Sequence, residues 1–137
     1  MRGFLASVAL AALLGGCASA PRAAHCLQGG QRETAELVFG RVTGDPNQPG
    51  VSEADFAHFL DKEVSPRFPD GLTVMDAQGR WTPPAGTPIR EPSKMVMIVL
   101  PGRADDGDKL EAVRQAYKVR FNQQSVLLMT HGDCVSF

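Results

Sequence analysis

The chain has 137 residues, 43% of them hydrophobic, which is room for one domain around one core. Its 14 basic and 15 acidic side chains leave a net charge of −1, too balanced to grip nucleic acid, and no basic run offers itself to anionic lipid.

Arg2 and the apolar run from Phe4 to Leu14 read as an export signal. The run falls short of the roughly 20 apolar residues that a spanning helix needs. Leu14-Gly15-Gly16-Cys17 has the form of a lipobox. Small residues let the backbone enter a peptidase, and the Cys17 thiol is the nucleophile that accepts a diacylglycerol. A secretory signal with a chance cysteine at its end is the alternative. On the lipobox reading, residues 1–16 are a signal peptide, 17–31 a lipidated N-terminus and tether, and 32–137 a single folded domain. Membrane lipid is then a partner through acylated Cys17, since two or more acyl chains, at about 0.8 kcal/mol per buried methylene, hold a protein on a bilayer. Ala18 stands where an aspartate would favour the inner membrane, so the expected address is the periplasmic face of the outer membrane.

Residues 18–31 are small, polar and Gly/Pro-bearing, as a tether should be. Thr34 to Val42 has strand character, and Gly44 to Gly50, with two prolines and two glycines, is a loop. Ser52 stands as a helix N-cap with Asp55 as its back-bonding partner and Val51 placed to staple onto Phe56. Phe56, Phe59, Leu60 and Val64 then share a helical face, and Pro66 stops the helix. Leu72 to Asp76 reads as a strand, and Ala77-Gln78-Gly79 as a turn before Arg80 and Trp81 resume extended structure. After a Pro-rich tip, Thr82 to Pro88, the segment Lys94 to Leu100 is apolar on both alternating faces, the pattern of a central buried strand. Asp105, Asp106 and Asp108 suit a helix N-terminus through capping and the macrodipole. Leu110, Val113, Tyr117 and Phe121 mark the buried face of that helix, and Arg114, Lys118 and Arg120 favour its C-terminal half. Ser125 to Met129 and Cys134 to Phe137 give a last strand, broken at His131-Gly132.

The order strand, helix, strand, strand, helix, strand is the ferredoxin-like split βαβ arrangement. It is an α+β fold with an antiparallel four-stranded sheet and two helices on one face. The first and last strands lie side by side in it, so Cys26 and Cys134 meet. A disulfide is the leading reading in an oxidising compartment. The alternative gathers His25, Cys26, His131 and Cys134 around a soft metal such as zinc or Cu(I).

No residue cluster reaches the specificity of a catalytic signature. There is no G-x-S-x-G, no H-E-x-x-H and no phosphate-cradling glycine run, and no cofactor is implied. His58 lies off the apolar face of the first helix, and an exposed imidazole is its default. The most distinctive run, Ser65 to Thr73, holds Arg67 and Asp70 on a stiff frame of two prolines and a glycine. With Trp81, Glu91 and Lys94 these residues could line a pocket for an anion or carbonyl group. The plainer reading is internal ion pairing of Arg67 or Lys94 with Glu91 or Asp70, and a Trp81 that covers the edge of the core.

The stretches Phe39 to Arg41, Pro66 to Val74, Asp76 to Trp81, Arg90 to Lys94 and Tyr117 to Phe121 together resemble a bacterial family of small exported proteins, many with lipoprotein signals, known as domain of unknown function 3574. The resemblance implies the domain limits and the envelope address. It lends no catalytic residues.

In a two-layer fold the helices cover one sheet face only, yet Met95, Met97 and Val99 alternate with Val96, Ile98 and Leu100, and Val126 to Met129 is apolar throughout. A homodimer through the open face, a partner protein or a wrapped loop would cover it. Three functions follow: a non-enzymatic envelope lipoprotein that binds a partner or small ligand; a small dimeric α+β barrel-type enzyme or ligand-binding protein acting on a small carbonyl or anionic compound, with Arg67, Glu91 and Lys94 as its charged groups; or a purely structural envelope component.

Overall fold

A computed structural model describes residues 26–42, 50–82 and 86–137. Cys17, its lipobox and His25 lie outside the described residues. Strand β1 (Gly30–Gly40) leads to helix α1 (Glu53–Phe59), which continues as one wide turn over Leu60–Val64. Strands β2 (Thr73–Trp81) and β3 (Ile89–Val99), helix α2 (Asp106–Phe121) and strand β4 (Leu127–Val135) follow. The sheet order is β2-β3-β1-β4 with every neighbour antiparallel, and the helices pack on one face. This is the α+β, ferredoxin-like arrangement expected from the order of the elements. Among the described residues no helix is long and apolar enough to cross a membrane.

Local chemistry explains α1. The Ser52 hydroxyl accepts from the Asp55 amide, and the Asp55 carboxylate accepts from Ser52 in return, so two amides that the helix leaves unpaired are satisfied. The wide turn serves the core. With ordinary helical spacing Val64 would sit about 140° round the helix from Phe59. The i→i+5 bond from Ser65 to Leu60 unwinds the turn and brings Val64 inward, where it is fully buried.

The core joins Ala35, Leu37 and Phe39 of β1 and Val96 and Ile98 of β3 to Phe56, Phe59, Leu110, Val113 and Tyr117 of the helices. Its centre is aromatic. Tyr117 meets Phe39 edge-on at 4.7 Å and Phe59 at 5.0 Å. The Tyr117 hydroxyl donates to the Gly40 carbonyl at 2.9 Å, which satisfies its one polar atom, and burial pushes its pKa up.

Four local expectations are corrected. The strand β2 runs unbroken through Ala77-Gln78-Gly79, where a turn was expected. Gly79 has no positive φ, and its missing side chain instead makes room for Glu91 of β3, whose Cγ lies 3.2 Å from where a Cβ would stand. The strand β3 starts at Ile89 rather than Lys94 and takes Pro92 into the sheet. That is tolerated because the ladder with β1 ends at the Gly40–Ser93 pair, one residue before the proline could owe an N–H. The strand β4 is continuous through His131 and Gly132, both paired with β1. Finally, Asp105 makes no capping bond to α2; Asp106 instead turns its carboxylate back to accept from the Gly102 and Arg103 amides at 3.0 and 2.8 Å.

Candidate functional site

Three places gather chemistry. The first is the end of the sheet where β1 stops, β3 starts and α1 begins. Lys94 on β3 is 7% exposed and points to the helix side. It bridges Asp76 on β2, its direct cross-strand partner, and Glu53 in the first turn of α1 at 2.8 Å. Arg41 completes the chain, binding Glu53 and donating to the Val51 carbonyl at 2.7 Å. The hydrogen bond from Lys94 holds the Glu53 and Asp76 carboxyls below the usual carboxylate range, and those two acids raise Lys94, with Asp76 the larger influence. A shallow groove of about 380 Å³ opens over Arg41, Glu53, Asp76, Gln78 and Ser93. Arg41, the cation of its lining, is already paired with Glu53, so the groove offers an incoming anion no free charge.

The second is Glu91, on the other face of β3. Its carboxyl lies over Gly40, where an added Cβ would stand 2.9 Å from Oε1, and its stem crosses Gly79. Burial raises its pKa, and a hydrogen bond from the Val42 amide opposes this in part. Glycines on both flanking strands are what allow a carboxylate to lie flat here.

The third is the face of the sheet that, among the described residues, no helix or loop covers. Side chains alternate along each strand, so the residues opposite the core face are Glu36 and Val38 on β1, Thr73 and Met75 on β2, Met95 and Met97 on β3, and Leu127 and Met129 on β4. Met75 is 40%, Leu127 54% and Met129 39% exposed, while Val38, Met95 and Met97 are half-buried by their neighbours.

The residues singled out in the sequence are thus divided. Glu91 and Lys94 belong to one strand but to opposite faces of the sheet. Arg67 lies beyond the far end of the first helical segment, paired with Glu63 at 2.9 Å. Asp70 faces Arg103 at 3.8 Å. Trp81 ends β2, paired with Ile89. Neither Arg67 nor Lys94 pairs with Glu91 or Asp70, so the ion pairs exist but with other partners: Glu63, Asp76, Glu53 and Arg103. Arg41, Glu53 and Asp76 escaped the sequence reading because each looks ordinary in its own segment. A cross-strand register is needed to bring them to Lys94.

Cys26 and Cys134 are joined in a disulfide with Cα atoms 5.4 Å apart. The bridge removes both thiolates from the soft-metal alternative, and His131 pairs with Asp133 at 3.0 Å. Among the described residues no cluster of His, Cys, Asp or Glu is placed to hold a metal ion.

Solved structures with a similar fold include a phage SAM lyase. In its apo state the two chains share 19% identity, covering 78% of this chain and 85% of that one, with a TM-score of 0.58. In complex with S-methyl-5'-thioadenosine the figures are 20%, 81%, 88% and 0.60. CutA from Synechococcus elongatus matches at 8% identity over 76% of this chain and 80% of its own, with a TM-score of 0.48. At such identities the likeness to the lyase concerns the fold. Among curated proteins no chain matches this one. A family model matches residues 34–137, from within β1 to the last residue, and the chain belongs to that family, the proteins of unknown function DUF3574.

Proposed function

We propose that the protein is a lipid-anchored component of the bacterial envelope, on the periplasmic face of the outer membrane, and that its domain acts by binding rather than by catalysis. The observation that carries this reading is the uncovered sheet face. Four strands about 4.8 Å apart, with two adjacent rows of mostly apolar side chains, present an area of a few hundred Å². An apolar patch that contiguous marks an interaction surface more often than a bare exterior. The Cys26–Cys134 disulfide supports an exported address, since such bridges persist in oxidising compartments. The lipobox at Leu14 to Cys17 supports the anchor.

The test is mass spectrometry of the mature N-terminal peptide from native membranes, together with solubility of Cys17→Ser. The expected peptide begins at Cys17 and carries acyl mass, and the variant leaves the membrane fraction. A mature N-terminus elsewhere, without lipid, contradicts the anchor.

One observation favours a second reading, a small enzyme acting on a carbonyl or anionic compound. Glu91 is a carboxyl held partly out of water with a raised pKa, as a general base would be, and the phage SAM lyase is an enzyme built on a similar fold. Against it, Arg67 and Lys94, the cations that such a site would use, are engaged elsewhere. In the enzymatic reading Glu91→Gln abolishes turnover; in the binding reading it changes stability alone.

A further inference from the structure

The uncovered face is not uniformly apolar. Met75, Met95, Val38 and Leu127 form one row across the four strands, and Thr73, Met97, Glu36 and Met129 the next. Every methionine after Met1 lies in these two rows. Unbranched thioether side chains mould to apolar bodies of varied shape. Glu36 sits half-buried in the middle of them, directly between Met97 and Met129. Among the described residues it makes no ion pair. The bases of this face start one row from Glu36: His131 stands opposite Thr34 and bonds Asp133 at 3.0 Å, and Arg32 lies one row further on, opposite the same aspartate.

We infer that this face takes a small amphipathic organic cation, its apolar body resting on the methionines with Val38 and Leu127, and its positive group directed at Glu36. The inference rests on reading the face as a binding surface and names the class of ligand. Charge decides among the occupants. A second copy, packed face to face, would bring another Glu36 into the same dry layer, where like charges repel and each carboxylate loses water without gaining a partner. An anion meets the same repulsion. A neutral apolar body strips water from Glu36 and returns nothing. A cation supplies the missing partner through a charge-assisted contact.

The test uses the full-length protein in neutral-detergent micelles, labelled with carbon-13 at the methionine methyls, and three probes of similar size: benzyltrimethylammonium, benzyl alcohol and phenylacetate. The cation is expected to shift the Met95, Met97 and Met129 methyl signals at concentrations where the other two do not. In Glu36→Gln the apparent affinity for the cation falls about threefold to fivefold, the range of a partly exposed ion pair, and its preference over benzyl alcohol disappears. Leu127→Ser, at an exposed position that costs no core packing, weakens the cation as well, whereas Val119→Ser on the outer face of α2 does not. Equal or tighter binding of phenylacetate or benzyl alcohol overturns the inference while leaving the face a binding surface. Methyl signals that move with protein concentration alone identify a second copy as the occupant and also overturn it. No shift from any probe overturns the inference, and the reading of the face as a binding surface is then decided separately by the oxidation of its methionines in intact cells.

Discussion

At the residue scale, two carboxylate environments on β3 and its neighbours pull in opposite directions. Glu91 has its pKa raised by burial, so the folded state takes up its proton more readily than the unfolded chain does. Its contribution is therefore unfavourable at neutral pH and vanishes once the solution is acid enough to protonate both states. Glu91→Gln, which keeps an acceptor for the Val42 amide, is expected to raise the thermal midpoint near about pH 7 and to leave it unchanged near about pH 3. Calorimetry at the two pH values checks this, and an equal gain at both would contradict it. The network around Lys94 has the reverse sign on each flank. Glu53 and Asp76 are lowered, so their share of stability is present above the ordinary carboxylate range and lost as pH falls through their folded values. Lys94 is raised, so its share is present below the ordinary lysine value and lost as pH rises past its folded one. Lys94→Met should flatten both flanks of the pH–stability curve. Its cost near neutrality is small, because Glu53 and Asp76 are 68% and 84% exposed and return to water when the ammonium is gone. Chemical denaturation across the pH range reads both effects.

At the scale of elements, α1 depends on its first turn and on its aromatic face. Ser52→Ala removes one half of the capping box and is expected to cost about 1 kcal/mol. Phe39→Ala opens a cavity against Phe56, Phe59 and Tyr117 and is expected to cost about 3 to 5 kcal/mol, a contrast that urea titration of the two variants resolves. What was legible in the sequence follows the same division. The cap at Ser52, the burial of Val51 and Phe56 beside it, the apolar faces of both helices and the alternation in Lys94 to Leu100 are local signals, and each stands in the structure as read. The strand order followed from the succession of elements. Errors came where a residue's purpose lies across the sheet. Gly79 looked like a turn because glycine permits one, yet it is there for Glu91 of the next strand. The strand β3 reaches back through Pro92 to Ile89, and Gly132, read as a break, lies within a paired strand. The ion network was illegible for that reason too: Arg41, Glu53, Asp76 and Lys94 come from four separate segments.

At the scale of the whole molecule, the disulfide and the open face define how the domain is held and what it shows. The Cys26–Cys134 bridge closes a loop with a sequence separation of 108, which in the chain-entropy model is worth about 4 to 5 kcal/mol. Reduction should lower the denaturation midpoint by a corresponding amount, and an unchanged midpoint would show that the sheet alone holds β1 to β4. The bridge also fixes the N-terminal segment to the end of β4, so a lipid-anchored chain would be held from that end of the sheet. Helices shield one layer, and the methionine rows remain for an occupant.

Those methionines also report on their own cover, since each converts to a sulfoxide at a rate that follows its access to solvent. The most direct measurement is peroxide footprinting of Met75, Met95, Met97 and Met129 in intact cells, compared with the purified protein and read by mass spectrometry. All four are expected to be oxidised more slowly in intact cells than in isolation, because the face is occupied there. Equal rates in the two settings would contradict the claim that the open sheet face is the working surface of this protein.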